Sequence, residues 1–312
     1  MKREFAAGGV LLAVLVLLLF AAPAFYEPSN IRDLLLNSVG AMVIALGITL
    51  VILAGHIDIS IGSQFAVASV VAGLLAKAGV PMPLTAALVL ALGCLMGAIN
   101  GALVSGLRIP SIVATLATMI VLRDTLRWTT EGAWVQGLPS SFQWLGMTQA
   151  AGSAFILITT LLLALVLAWA LRNLSAGRQL FATGSNPQAA LLAGIRTDAV
   201  FTFVFVLMGS FCAAAALLNA IRFSDVPGNP GAGLEMKAIA AAVVGGASIT
   251  GGRATIIGTV LGVLLLSVIG SALTYLGINP YWEKAVQGTI LLAAAASEAA
   301  RIHQRKGAYA TN

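Results

Sequence analysis

The sequence has very few charged residues for its length. Its 312 residues include 17 Lys or Arg and 11 Asp or Glu, so that 9% are charged and 59% are hydrophobic. Soluble domains carry about 25% charged residues, and this shortage argues against a soluble enzyme or a disordered scaffold. The basic residues are scattered singly, without the stripe that nucleic-acid binding requires. A protein embedded in membrane lipid, with basic cytoplasmic loops, accounts for the net charge of +6.

Motifs for catalysis and for metal binding are also lacking. The two cysteines lie in apolar runs without zinc or redox spacing, and the absence of any Gly-Lys dipeptide excludes a Walker A motif. An intramembrane serine protease at Ser248 is the enzyme alternative, but Ile249 stands where that pattern needs glycine. Its histidine would have to be His56 or His303. We therefore expect no catalytic residue, no cofactor and no metal site.

Long charge-free apolar stretches are the main feature that is present. A helix of about 20 apolar residues crosses the hydrocarbon core of a bilayer, and the sequence predicts about ten such spans. Their centres lie near residues 17, 46, 70, 95, 117, 163, 209, 243, 265 and 291. The predicted fold class is therefore all-α, a polytopic membrane protein. Residues 132–153 are rich in Trp, Pro, Gly and Ser and are expected to form an interfacial loop.

The predicted spans form a single transmembrane permease domain with two sets of five helices. The first half covers about residues 8–126, an outer loop covers 127–153, the second half covers about 154–300, and a cytoplasmic tail covers 301–312. One set starts inside and the other outside, which is the inverted repeat of many transporters. The distribution of basic residues favours cytoplasmic termini. The first span resembles a signal peptide, but it is long enough to be retained.

Polar residues in or beside the spans are candidates for a translocation pathway or gate, because ionisable groups are costly in a membrane. The candidates are Asp58, Ser60, Asn100, Asn219 and Glu235. Asp58, in the joint at residues 55–63, either contacts the solute or caps the third span. Asn100 and Asn219 either bond a polar solute or hold helices together. Glu235 opens the eighth span, where it suits the helix dipole or lines an outer vestibule.

The loop at residues 172–198 has the pattern of an ordered docking element. Asn186 can cap a short helix that has Pro187 in its first position and stops at Gly194. Residues 180–183 before it are strand-like. We expect this loop to bind a soluble partner, and a rigid loop without a partner is the alternative. Since no span carries a mid-helix carboxylate for ion coupling, the pattern favours a permease powered by another subunit.

Several motifs, in order along most of the chain, are similar to those of one family. They are Gly-His56-Ile-Asp58-Ile-Ser60-Ile-Gly-Ser, Asn100-Gly, Ile-Pro-Ser-Ile-Val-Ala-Thr115, Gly-Arg178 with Gly184-Ser-Asn186 and Gly194-Ile, and Gly-Leu-Glu235-Met-Lys. The chain resembles the permeases of bacterial sugar ABC importers, in the ribose, xylose, rhamnose and autoinducer-2 branch related to branched-chain amino-acid permeases. It departs from the family at His56, where glycine is frequent, and at Asp124, where the family often has glycine after arginine.

The resemblance implies a type II ABC importer-like assembly in the bacterial inner membrane. Its partners would be a second permease subunit, identical or different, a cytoplasmic ABC ATPase that carries out ATP hydrolysis, and a periplasmic sugar-binding protein. The residues that couple to the ATPase would be Arg178, Gly184, Asn186, Pro187 and Gly194. The substrate would be a small neutral sugar, with rhamnose or a related deoxyhexose preferred. Autoinducer 2 or a pentose is the alternative substrate, and a stand-alone channel or secondary carrier is the alternative class.

Overall fold

The structure is a computed structural model that describes residues 2–279, 281–290, 292, 293 and 296. Its α-helices are α1 (Lys2–Ala21), α2 (Pro28–Leu53), α3 (Ile61–Lys77), α4 (Met82–Gly101), α5 (Ser111–Thr130), α6 (Gln149–Asn173), α7 (Ser175–Ser185), α8 (Pro187–Leu192), α9 (Thr197–Ala220), α10 (Leu234–Val244) and α11 (Ile256–Tyr275). Residues 282–290 are helical as well. Within the described part of the chain no β-strand forms, and Val135 and Val226 make one isolated bridge. The predicted all-α class is confirmed.

Five helices are long and apolar enough to cross a membrane. They are α2, α4 with its one-turn extension to Gly106, α6, α9 and α11. The apolar parts of α1 and α3, Ala6–Ala21 and Ile61–Lys77, are shorter. The chain is therefore a polytopic membrane protein, while the count of ten spans stays a prediction. The span expected near residue 291 lies partly outside the described residues, and the tail at 301–312 lies wholly outside them.

The helix α2 forms the centre of the molecule. In its most apolar window 89% of the residues are buried, against 17% in α6, which lies at the periphery. The helix α9 packs against α2, α3 and α4, while α1 packs against α11. Because lipid is as apolar as the side chains, close packing rather than the hydrophobic effect must hold these helices together.

Glycines bring α4 and α9 into backbone contact. A β-carbon on Gly97 would collide with the carbonyl oxygen of Phe205, and one on Gly209 would collide with the carbonyl oxygen of Gly93. Small residues at such crossings let two backbones approach closely, which maximises van der Waals contact in a membrane. The glycine spacing of the fourth span therefore serves helix packing.

Residues 180–183 are helical, so the strand-like prediction for them was wrong. They belong to α7, whose buried residues Gly177, Leu180, Thr183 and Gly184 recur at intervals of three or four. That spacing places one face of a helix against the membrane domain. The four-residue window was too short to reveal this period.

The loops at 131–146 and 221–233 pack on one another and form an irregular region. The Trp144 backbone N–H donates to the Ile221 carbonyl at 2.6 Å. Arg222 donates to the Leu36 carbonyl at 2.7 Å and to Asn37 Oδ1 at 2.9 Å, which ties this region to α2. Burial lowers the pKa of Arg222, while the charge of Asp33 raises it. Residues 132–142 are non-helical, as expected of a loop, while α6 begins at Gln149, before the predicted start near residue 154. The interfacial position of this loop stays a prediction.

Candidate functional site

The joint between α2 and α3, residues 54–60, is non-helical and lies beside α5. Its Ile57 N–H donates to Ser111 Oγ at 3.3 Å, and its Ile59 N–H donates to Thr115 Oγ1 at 3.1 Å. Two hydroxyls spaced one helical turn apart on α5 therefore satisfy two backbone donors of the joint. Non-helical backbone at membrane depth requires such partners within the protein.

A buried polar cluster stabilises this joint. Asp58 Oδ1 accepts hydrogen bonds from the Ser60 N–H at 2.8 Å and from Ser60 Oγ at 2.6 Å. Asp58 Oδ2 lies 3.3 Å from Gln64 Nε2 and 3.4 Å from Asn100 Nδ2, both of which donate to it. The same two amides donate to Ser60 Oγ at 2.7 and 2.8 Å. We call Asp58, Ser60, Gln64 and Asn100 the joint cluster.

Asp58 does not cap α3 in the way that the sequence suggested. The N-cap position belongs to Ser60, and no side chain caps this helix through a hydrogen bond. Asp58 instead links the joint to α3 and, through Asn100, to α4. Asn100 lies six residues before Gly106, where the extended α4 ends, so the cluster lies roughly 9 Å inside that candidate span.

The joint cluster is closed to solvent in this structure. Asp58, Ser60 and Gln64 are fully buried, and Asn100 is 1% exposed. Three buried polar atoms near the joint have no hydrogen-bond partner among the described residues, namely Gln64 Oε1, Asn100 Oδ1 and His56 Nε2. The His56 ring packs edge-on against Phe201, with ring centroids 4.4 Å apart. These residues therefore hold the joint in place and do not face an open channel here.

Glu235 lies where the first turns of α10 and α3 meet. Its Oε2 accepts a hydrogen bond from the Gly233 N–H at 3.2 Å, and its Oε1 lies 3.8 Å from Arg123 Nη2 on α5. A β-carbon on Gly62, in the first turn of α3, would collide with the Glu235 carboxylate. The predicted first-turn position is confirmed, and it suits the positive end of a helix dipole.

A cavity of about 940 Å³ opens beside the start of α10. Its charged and polar lining includes Glu235, Lys237, Glu283, Lys284 and Gln287. Lys237 Nζ lies 3.3 Å from Glu283 Oε1, and Gln287 Nε2 donates to the same oxygen at 2.9 Å. Donors and acceptors in one concave site are the usual means of binding a small polar molecule.

Asn219 lies apart from these groups. It belongs to the last turn of α9 and is half-buried, and no hydrogen bond joins its side chain to the joint cluster in the described chain. The structure therefore joins three of the five residues that the sequence singled out for the pathway, namely Asp58, Ser60 and Asn100. Glu235 lies separately, beside Gly62 in the first turn of α3, and Asn219 lies apart.

The loop between α6 and α9 forms the helix that the sequence predicts. Asn186 Oδ1 accepts from the Ala189 N–H at 3.0 Å, Pro187 occupies the first helical position, and Gly194 has a φ of 84° just past the end. Arg178 donates to the Asn173 carbonyl at 3.2 Å, at the C-terminus of α6. Gly184 is buried beneath the loop.

Sequence reasoning missed three features of these sites. Gln64 joins the joint cluster, and its position one helical turn after Ser60 was a signal for that contact. Arg123 pairs with Glu235 from another helix, which nothing local in the sequence predicts. On α8, Leu191 and Leu192 are 61% and 90% exposed, and such an apolar pair in a polar loop is typical of a protein contact.

We expect Asp58→Asn to lower the melting temperature of the purified protein. The new amide would place a donor against the amide donors of Gln64 and Asn100, and each buried group left unsatisfied costs about 1–3 kcal/mol. The matched control is Asp124→Asn, since the Asp124 side chain is 65% exposed. Thermal unfolding in detergent checks this, and equal melting temperatures for the two variants would contradict it.

Comparison with known proteins identifies the family. The profile of the family described as "Branched-chain amino acid transport system / permease component" matches residues 30–295. The "Autoinducer 2 import system permease protein LsrC" of Escherichia coli O157:H7 is 39% identical over 89% of this chain and 83% of its own length. The protein of the same name from Salmonella typhimurium is 38% identical over 90% and 82%. No solved structure matches the chain.

These relatives do not support the preference for rhamnose, since their names specify autoinducer 2. They do support the resemblance to sugar ABC importer permeases, which rests on motifs that include the joint at Asp58 and the loop at Gly184. The apolar helices and these relatives together make the chain a multi-pass protein of the inner membrane. The chain belongs to the branched-chain amino acid transport system permease family, as a permease subunit of a sugar ABC importer.

Proposed function

We propose that the chain is the membrane subunit of an ATP-driven importer for autoinducer 2. The observation that carries this proposal is the 39% identity, across 89% of the chain, to an autoinducer 2 import permease. Rhamnose and the pentoses ribose and xylose are competing substrates within the same class of small neutral polyhydroxylated molecules. A periplasmic binding protein would deliver the substrate.

Energy for transport would come from an ATPase on another chain. The two acidic groups at the candidate sites are poorly suited to ion coupling, because Asp58 is enclosed by hydrogen bonds and Glu235 lies at a helix start beside Arg123. The exposed Leu191 and Leu192 on α8 would bind the ATPase. This arrangement requires α7 and α8 to face the cytoplasm, which agrees with cytoplasmic termini.

The transport route would begin at the cavity next to α10. Its charged groups, with Glu235 at the inner edge, can exchange hydrogen bonds with the hydroxyls of a sugar. The joint cluster would position the α2–α3 joint as a gate, through Asp58, Ser60 and Asn100. Asn219 would contact the route near the C-terminal end of α9.

The assembly would contain two permease subunits around one route. Each would have ten spans arranged as two inverted halves, 8–126 and 154–300, with the loop at 127–153 outside. Transporters with this ground plan bind their substrates between repeats, at the ends of interrupted helices. The meeting of the first turns of α3 and α10 at Gly62 and Glu235 supports such a site.

Reconstitution tests the proposed function and its substrate together. Proteoliposomes that contain the permease and its ATPase, supplied with the binding protein, should accumulate autoinducer 2 only when ATP is present. Autoinducer 2 should be taken up faster than rhamnose, ribose or xylose at equal concentration. Uptake that persists without the ATPase would favour a channel or secondary carrier, and faster uptake of rhamnose would overturn the substrate assignment.

Leu192→Glu should weaken binding of the ATPase. Replacing a central apolar contact by a buried charge costs at least about 2 kcal/mol in typical interfaces, so the affinity should fall by more than about tenfold. The amount of ATPase that copurifies with the permease measures this. Gln179→Glu, which adds the same charge on exposed surface of α7, is the control and should bind normally. Equal binding by both variants would argue against α8 as the docking site.

Glu235→Gln should slow uptake without affecting assembly. The substitution removes the charge that faces Arg123 and the cavity, and a hydrogen bond to a charged group contributes about 1.5–3 kcal/mol, which corresponds to roughly tenfold or more in rate. Initial uptake rates in proteoliposomes check this, with Asp124→Asn as the control for loss of an acidic charge. A variant that transports at the normal rate would remove Glu235 from the route.

A further inference from the structure

Gly184, near the end of α7, lies against the backbone of two separate joints. A β-carbon at this position would collide with the carbonyl oxygen of Leu53, the last residue of α2. The same atom would lie 2.9 Å from the backbone nitrogen of Gly252, in the joint between α10 and α11. Only a glycine permits α7 to approach both joints this closely.

The two joints are also bonded directly to one another at this point. The Gly252 N–H donates to the Leu53 carbonyl at 2.9 Å. A β-carbon on Gly251 would lie 2.7 Å from the Gly184 carbonyl oxygen and 2.9 Å from Gly55 Cα. Three backbone segments that are far apart in sequence therefore meet at one place, which we call the glycine junction: Leu53, Gly55, Gly184, Gly251 and Gly252.

The conformations of the joints depend on their glycines. Gly55, Gly251 and Gly252 have φ angles of 84°, 86° and 73°. Residues with a β-carbon rarely adopt such angles. The junction therefore contains backbone turns that pack against Gly184 with no side chain between them.

A second contact extends the link away from the junction. Thr49 Oγ1 on α2 lies 2.7 Å from Thr259 Oγ1 on α11, and both residues are fully buried. Thr49 precedes Leu53 by one helical turn, so the helices that flank the two joints are bonded just above the point where the joints meet. The two joints and their flanking helices are thus linked by two hydrogen bonds, and one of these lies beside Gly184 of α7.

We infer that Gly184 is the positioning residue through which α7 moves the α2–α3 and α10–α11 joints together. This inference rests on the proposed function, because it requires an ATPase that displaces α7 and α8. Coupling travels through packed elements that have two discrete arrangements, and the glycine junction connects the docking surface on α8 to both joints. The Asp58 cluster, which continues the first joint, would move with it.

Gly184→Ala in the assembled transporter tests the inference. We expect ATP-dependent uptake to fall by about tenfold, within the 5–150-fold range of typical couplings between sites, while ATP hydrolysis and ATPase binding are retained. The control is Gly106→Ala, because a β-carbon on Gly106 meets nothing within 4 Å. Uptake by Gly184→Ala equal to that of Gly106→Ala would overturn the inference.

Hydrogen exchange of the unmodified complex provides a second measurement, which decides the matter if Gly184→Ala does not fold. Peptides covering residues 50–57 and 248–255 should change their exchange together between the nucleotide-free and ATP-bound states. A change in only one of them, or in neither, would overturn the inference. The proposed function fails separately, if the unmodified complex shows no ATP-dependent uptake at all.

Discussion

The need to satisfy backbone polar groups inside the membrane determines much of this structure. The chain interrupts its helices at residues 54–60 and 245–255, and the backbone groups buried at these interruptions need partners within the protein. In the first joint, Ser111 and Thr115 accept from two backbone N–H groups, and Asp58 accepts from a third. In the second joint, the Gly252 N–H donates to the carbonyl of Leu53, the last residue of α2. Each interruption is therefore stable only in the presence of particular neighbours.

Close packing of glycine serves two different purposes in the molecule. Along α4 and α9, Gly97 and Gly209 bring two long helices into backbone contact and hold them there. At the glycine junction, Gly184 brings a short surface helix against two joints that contain positive φ angles. The first arrangement supplies cohesion where lipid provides no hydrophobic driving force. The second provides a direct connection between the surface proposed for the ATPase and the segments proposed to open.

The few charged residues are informative through their positions as well as through their small number. Asp58 is enclosed by four donors, and Glu235 faces Arg123 at a helix start, so the acidic groups at the sites already have partners. A carrier driven by an ion gradient needs carboxylates that can release such partners in the membrane. An ATPase on a second chain avoids that requirement, and we propose that it binds the exposed leucines of α8.

The sequence by itself determined the features that depend on local pattern. Apolar length predicted the membrane helices, and the order of Asn186, Pro187 and Gly194 predicted α8 with its cap and its stop, because capping involves residues only a few positions apart. The four-residue stretch at 180–183 was misassigned, since it is shorter than the period that identifies a helix. Only the tertiary structure decided that Asp58 bonds to Asn100, that Glu235 meets Arg123, and that Gly184 touches two joints. These contacts join residues 42 to more than 100 positions apart, and their partners are selected by helix packing, which no local pattern encodes.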